Sequence, residues 1–163
     1  MNDGNLSRIK LVGFDIDGTL TDGGFYYLGQ GQWAQRYSVW DGYGIRRLQI
    51  AGIQVAVVTN SDFESAMARV KMLGIDEAHF SVTDKLKVWT DILDRHNLKP
   101  ENCAYMGDDL PDLPVLQQVG FSGTVFEAQD CIKRECDFVA SRPAGNGAAR
   151  EFIEYILSHR GGD

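Results

Sequence analysis

Two short acidic stretches carry the residue types best suited to chemistry. Asp15-Ile16-Asp17-Gly18-Thr19 sets two carboxylates two positions apart ahead of a glycine. In a loop such a pair can converge on one cation or substrate, and Gly18 lets the chain turn tightly beneath them. Gly107-Asp108-Asp109-Leu110-Pro111-Asp112 crowds three carboxylates into five residues. They repel one another unless a positive charge compensates, and all-oxygen donors suit a hard divalent ion. Mg2+ is the natural candidate, because it takes a few carboxylate oxygens and fills its shell with water and substrate phosphate. Taken singly, either stretch also reads as a solvated acidic turn.

Two further positions extend the pattern. Thr59 ends the apolar run IQVAVVTN and offers a hydroxyl and a backbone N–H to an anion, while Ser61 or Asp62 is the natural cap of the helix that follows. Lys85 opens a helical stretch, where a cation opposes the helix dipole unless an anion lies nearby. Lys87 points elsewhere on such a helix, so only one of the two reaches the same rim.

The elements that must position these residues follow from the apolar pattern. Short apolar runs at 9–14, 53–60, 78–82, 103–107, 119–126 and 136–140 alternate with amphipathic stretches near 42–51, 62–73, 84–96, 112–118 and 128–134. That alternation defines an α/β, three-layer, Rossmann-like fold with a mostly parallel sheet covered on both faces. Right-handed crossovers then bring the polar strand ends to one rim. Two regions break the rhythm. Gly24 to Val39 reads as an inserted β-hairpin flap (about 24–39) turning at Gly29-Gln30-Gly31-Gln32, and Ser141 to Gly147 is a loop before a last amphipathic helix, AAREFIEYILSH. No repeat or linker divides the chain, so a single domain is expected over 1–163.

Sixteen Lys and Arg against 23 Asp and Glu give a net charge of -7, which disfavours nucleic acid and anionic membrane surfaces as partners. At 44% hydrophobic and 24% charged the chain is neither disordered nor fibrous. Cys103, Cys131 and Cys136 follow no zinc spacing and read as reduced thiols, and neither a leader segment nor a long apolar span is evident, so a cytoplasmic location is expected. His79, His96 and His159 read as structural.

FDIDGTLTDG, VVTN, Lys85 and GDDLPD, in that order, resemble the four motifs of the haloacid dehalogenase superfamily of phosphotransferases. The resemblance implies that Asp15 is the nucleophile that forms an aspartyl-phosphate and that Asp17 protonates the leaving alcohol and later activates water. It makes Thr59 and Lys85 phosphate holders, with Lys85 also restraining the nucleophile. Mg2+ would be held by the Asp15 carboxylate, the Asp17 backbone carbonyl and Asp108, with Asp109 and Asp112 in support. Within the superfamily LTDGGFYYLGQ, YSVWDGYGIRRL, CAYMGDDLPDLPVL and RPAGNGAAREFIEYI are similar to the capless phosphatases that cleave 3-deoxy-D-manno-octulosonate 8-phosphate, and to their relatives acting on nonulosonate 9-phosphates. That similarity spans residues 9–157 and implies a homotetramer in which flaps and neighbouring subunits complete the site in place of a cap domain.

Three positions depart from the resembling enzymes. Asn60-Ser61 stands for Gly-Arg, Trp40 for Arg, and Asn146 for Arg or Lys. A sugar acid is well read by guanidinium forks. Arg36, Arg46 and Arg142 are therefore the candidates to replace the missing charge, with Asn60 and Asn146 as further substrate contacts. The alternatives are a less acidic sugar phosphate, a nonulosonate 9-phosphate, or a non-catalytic oligomeric relative. Joint retention of Asp15, Asp17, Lys85 and Asp108 counts against the last. Arg150 and Glu151 are expected to pair at the start of the last helix or to reach a neighbouring subunit.

Overall fold

The computed structural model describes residues 6–160; residues 1–5 and 161–163 of the expected domain lie outside the described ones. Strand β1 (Leu11–Phe14) is buried at every position, so it must be covered on both faces. Its neighbours are β4 (Gln54–Val58) and β6 (Cys103–Met106), both parallel to it. Beyond them lie β5 (Glu77–His79), β7 (Phe121–Thr124) and β8 (Phe138–Val139), giving the order β5-β4-β1-β6-β7-β8 with every pairing parallel. The order reverses at β1, and a crevice outside the strand C-termini is expected at such a switch point.

Period-two alternation along β1 assigns the layers. Gly13 faces Trp89 of α3 (Lys85–His96), which packs with α4 (Leu113–Leu116). Phe14 faces the other way, with its ring 6.5 Å from that of Phe152 in α6 (Ala148–Ser158), and α6 packs on α1 (Val39–Ile50). Phe121 stacks between Phe152 and Tyr155 at 5.4 and 5.5 Å. A fully buried ring of this kind contributes about 2–3 kcal/mol. The two remaining helices are α2 (Glu64–Met72) and the short α5 (Asp130–Lys133).

The flap is a separate antiparallel pair, β2 (Tyr26–Gly29) and β3 (Gln32–Ala34). Gln30 and Gly31 both have positive φ, 53° and 78°, the twist that two-residue hairpin turns require. Its apolar side chains face outward, with Tyr26, Tyr27, Leu28 and Trp33 all exposed.

Several boundaries differ from those the apolar runs suggest. Helix α1 starts at Val39, because the Ser38 hydroxyl accepts the N–H groups of Trp40 and Asp41. Strand β5 stops at His79, short of the expected 78–82, ahead of Ser81 with its positive φ of 54°. The stretch 112–118 becomes a 3-10 turn, Leu110–Asp112, followed by the single-turn α4, with prolines near the start of each.

At the opposite end of the sheet Glu77 gathers His96 (2.7 Å), His79 (2.6 Å) and Arg95 (2.6 Å). Burial works to raise its pKa, but the three hydrogen bonds win and hold it down at about 2 against an ordinary 4.5. A carboxyl depressed on folding stabilises the fold above its unfolded pKa and loses that contribution as pH falls through the folded one. Glu77→Gln is therefore expected to lower the melting temperature at neutral pH, and the gap to wild type should close between pH 4.5 and about 2. Thermal unfolding across that range checks it, and a gap independent of pH contradicts the assignment.

Candidate active site

The site is built where β1 and β6 end side by side. Asp15 follows β1 directly, and its N–H still donates to the Met106 carbonyl at 3.0 Å. The first acidic loop meets the second, and the second folds back on itself, so closely that each needs a glycine. A Cβ on Gly18, at φ 78°, would lie 2.3 Å from Asp108 Oδ2, and one on Gly107 would lie 2.3 Å from Asp112 Cγ. Thr19 donates its hydroxyl to Asp108 Oδ1 at 3.2 Å, tying the first loop to the second.

Lys85 enters from α3. It occupies the same buried stripe as Trp89, Ile92 and Leu93, which delivers Nζ into the crevice while Lys87 stays on the exposed face. Nζ lies 2.8 Å from Asp15 Oδ1 and 2.7 Å from Asp112 Oδ1. The Tyr105 hydroxyl donates to the same Asp112 oxygen at 2.8 Å, and the N–H groups of Asp108 and Asp109 reach Asp112 Oδ2 at 3.3 and 3.4 Å. Asp112 is thus a buried anchor for Lys85 and for the second acidic loop.

Carboxylate oxygens of Asp15, Asp108 and Asp112 lie within 4.8 Å of one another. Against one ammonium group this buried cluster carries two excess negative charges when fully ionised. Burial and the Asp112 charge push Asp15 above the usual carboxylate range, with Lys85 opposing them; burial and Asp112 also raise Asp108. Burial works to lower Lys85, but the charges of Asp15 and Asp112 more than offset it, so the lysine stays protonated. The donor set fits a hard divalent cation. With the Asp112 oxygens already engaged, Asp15 and Asp108 are the carboxylates left to hold it.

Asp15, Asp17, Thr59, Asn60, Lys85, Asp108, Asp109 and Asp112 line one cleft of about 160 Å3. Asp109 caps the turn that follows it, its side chain accepting the Leu110 N–H at 2.8 Å. The Thr59 backbone N–H is not available to an anion as expected, because parallel pairing directs it to the His79 carbonyl at 3.0 Å. Its hydroxyl oxygen accepts the Ser61 N–H at 3.1 Å, which leaves the hydroxyl proton to donate. Neither Ser61 nor Asp62 caps α2; Phe63 occupies that position without a side-chain bond. The Ser61 hydroxyl is instead buried without a partner in the fold and faces Asp17. Burial raises the Asp17 pKa, opposed by the bond from Gln35 and by the Ser61 hydroxyl nearby.

The rim divides the candidate cations. Arg36 donates to the Gly145 carbonyl (3.3 Å) and to Asn146 Oδ1 (3.4 Å), and Arg142 lies over the Trp40 ring at 5.7 Å. Two of the three neutral departures therefore have an arginine against them. Arg46 does not join the cleft: it sits two turns down α1, about 10 Å along the axis, bonded to Gln49. Gln49 in turn holds the Leu73 and Gly74 carbonyls ahead of β5, at the opposite rim. Arg150 and Glu151 do not pair with each other. Arg150 reaches Glu154 and lies over Tyr43, while Glu151 accepts from Ser141 and the Arg142 N–H. Asp41 accepts the N–H groups of Gly147 and Arg150, fixing the glycine-rich loop on α1.

Sequence reasoning did not reach Gln35, Tyr105, Thr19 or Ser61 as site residues. Thr19 and Ser61 lie inside stretches that the sequence singles out, and Gln35 lies in the flap next to the first acidic loop, whereas Tyr105 had no positional signal.

A parallel sheet reversing at β1, with an aspartate cluster and a buried lysine at its C-terminal rim, defines a hydrolase of the haloacid dehalogenase type. The haloacid dehalogenase-like hydrolase model matches residues 26–120, and the chain belongs to that family. It is similar to the 3-deoxy-D-manno-octulosonate 8-phosphate phosphatase KdsC of Escherichia coli K12, with 36% identity covering 94% of this chain and 82% of that one. The Yersinia pestis phosphatase of the same name superposes with a TM-score of 0.94 at 35% identity, covering 98% of this chain and 87% of the other. The Moraxella catarrhalis phosphatase, solved with magnesium, phosphate and the sugar acid, gives 0.93 at 33% identity, covering 98% and 92%.

Proposed function

We propose that the chain is a Mg2+-dependent phosphomonoesterase that cleaves 3-deoxy-D-manno-octulosonate 8-phosphate to the sugar acid and phosphate. The observation that carries the reading is Asp15, held 2.8 Å from Lys85 in a cleft it shares with Asp17, Thr59 and Asp108.

Asp15 Oδ attacks phosphorus while Lys85 and the Thr59 hydroxyl stabilise charge on the equatorial oxygens. Asp17 gives its proton to the ester oxygen as the P–O bond to the sugar breaks. It then takes a proton from water, whose oxygen attacks the aspartyl-phosphate and returns Asp15 as carboxylate. Mg2+, when bound at Asp15, Asp108 and the Asp17 carbonyl, supplies the charge neutralisation that lets an anionic nucleophile meet a phosphate dianion. Arg36 and Arg142, beside Asn146 and Trp40, are the proposed readers of the sugar carboxylate, with Asn60 as a further contact. Asp109 and Asp112 support the acidic loop.

The exposed Tyr27 (60%), Leu28 (64%) and Trp33 (47%) on a hairpin that packs little of itself inward support a homotetramer assembled through the flaps. No helix among the described residues is long and apolar enough to cross a membrane. With three free cysteines, this supports action in the cytoplasm.

Phosphate release across a panel of this ester, a nonulosonate 9-phosphate and neutral hexose and pentose phosphates tests the reading. Turnover is expected to be strongest on the octulosonate ester and to vanish when chelator removes Mg2+. The neutral residues Asn60, Ser61 and Asn146 favour a second reading, a less acidic sugar phosphate, and preference for a neutral ester would establish it. No turnover with Mg2+ present rejects both.

A further inference from the structure

The flap touches the reacting carboxylates through one side chain. Gln35, the residue after β3, donates from Nε2 to Asp17 Oδ1. Its Oε1 accepts two hydroxyls from the other side, Tyr37 Oη at 2.9 Å and Ser65 Oγ at 3.0 Å. Asp17 Oδ1, with the proton on Oδ2, can only accept, and this fixes the sense of the amide: its NH2 end meets the carboxyl group and its oxygen takes the two hydroxyl protons. The holders are themselves held. Tyr37 bridges to Thr21 and lies under the Arg69 guanidinium at 5.8 Å, and Ser65 stands in the first turn of α2. Arg69 also donates to the Ser38 carbonyl at 2.9 Å, at the cap of α1. The flap, α1 and α2 are thus connected to a single oxygen of Asp17.

We infer that Gln35 is a positioning residue for phosphoryl transfer, occupying Asp17 Oδ1 and presenting Oδ2 to the ester oxygen as the oxygen that carries the proton. The inference deepens the phosphatase reading and rests on it. As the bond between Asp15 and phosphorus forms, the bond between phosphorus and the sugar oxygen breaks, and its electron pair stays on that oxygen. The proton on Asp17 Oδ2 moves there. In the second half water gives a proton back to Oδ2 while its oxygen bonds phosphorus and the bond to Asp15 breaks. An N–H donor on Oδ1 accepts neither proton, so it steers the carboxyl without entering the exchange. Without it the carboxyl turns about its last torsion, and the two oxygens lose their separate duties.

The test compares kcat/KM on two esters, because this ratio reports the first, phosphorylating half. A sugar phosphate releases an alkoxide that needs the Asp17 proton; p-nitrophenyl phosphate releases a phenolate that does not. Gln35→Leu is expected to lose about tenfold or more on the sugar ester and less than about threefold on the aryl ester, since only the first draws on general-acid catalysis. Tyr37→Phe removes one donor from Oε1 and should show the same asymmetry in smaller measure; it carries the test if Gln35→Leu does not fold. Equal losses on both esters, or no loss on either, overturn the inference. Failure of the wild-type chain to turn over either ester instead removes the phosphatase reading beneath it.

Discussion

Asp15→Asn is expected to abolish phosphate release, with a loss of about ten-thousandfold or more in kcat. The substitution keeps the side chain's size and planarity. Lys85 keeps its second partner, Asp112, at 2.7 Å, so the crevice has no structural reason to collapse. What disappears is the oxygen nucleophile. Stability should move the other way. Burial and the Asp112 charge raise the Asp15 pKa on folding, so the folded state holds this proton more tightly than the unfolded chain does. Such a group costs stability as pH rises above its unfolded value, and the cost is absent below it. In metal-free protein the amide should match or exceed wild type in melting temperature at neutral pH, and that advantage should fade toward about pH 4. Phosphate release with paired thermal unfolding reads both effects. Residual turnover within about a hundredfold of wild type would remove Asp15 from the nucleophile's position.

That the largest effect falls on a residue whose spacing marks it as a candidate, and whose role the family resemblance implies, follows from what each feature depends on. Asp15, Thr59 and Asp108 stand at or just beyond the ends of apolar runs, and a parallel sheet brings all such ends to one rim whatever the details of packing. Lys85 is legible for a similar reason. Its place at the start of a helix, in register with Trp89 and Ile92, fixes which face it takes.

The contacts that complete the site depend on long-range geometry. Tyr105 reaches Asp112 because β6 carries it on the face opposite Met106, and nothing near Tyr105 in sequence announces that partner. Thr19 meets Asp108 across 89 residues. Arg46 shows the converse. Its type suits a carboxylate, but α1 runs away from the rim that Trp40 occupies, and Arg46 is carried with it. Ser61 reads locally as a helix cap, and only the observed start of α2 at Glu64 frees its hydroxyl for the cleft. Strand lengths fail for a simpler cause, since an apolar run continues into buried loop residues such as Val82 and Val125 after the ladder has ended.

Lys85→Met is expected to damage both fold and chemistry, and the two losses should separate on adding Mg2+. The lysine is 4% exposed and sits between two carboxylates, so an apolar residue of similar length leaves Asp15 and Asp112 facing each other without a cation. Breaking a buried ion pair from one side costs about 3–5 kcal/mol. The Asp15 and Asp112 charges raise the Lys85 pKa over the opposing effect of burial, so its stabilisation is complete below the ordinary lysine value of 10.5 and is lost only as pH rises through the higher folded one. The deficit of the variant is therefore present throughout the neutral range. Asp15, whose pKa burial and the Asp112 charge already raise, takes up a proton more readily once the ammonium is gone, and this offsets part of the deficit. A divalent cation at Asp15 and Asp108 replaces part of the missing charge, so Mg2+ should raise the melting temperature of Lys85→Met more than that of wild type. It should not restore turnover, because the cation cannot also stand where Nζ meets a transferring phosphoryl oxygen. A loss of about a hundredfold or more in kcat should persist at saturating Mg2+. Melting curves and phosphate release with and without the ion decide the point. A variant as stable as wild type without Mg2+ would mean that Asp15 and Asp112 are not both charged beside this lysine. Activity restored along with stability would reduce Lys85 to a counter-ion for the folded state.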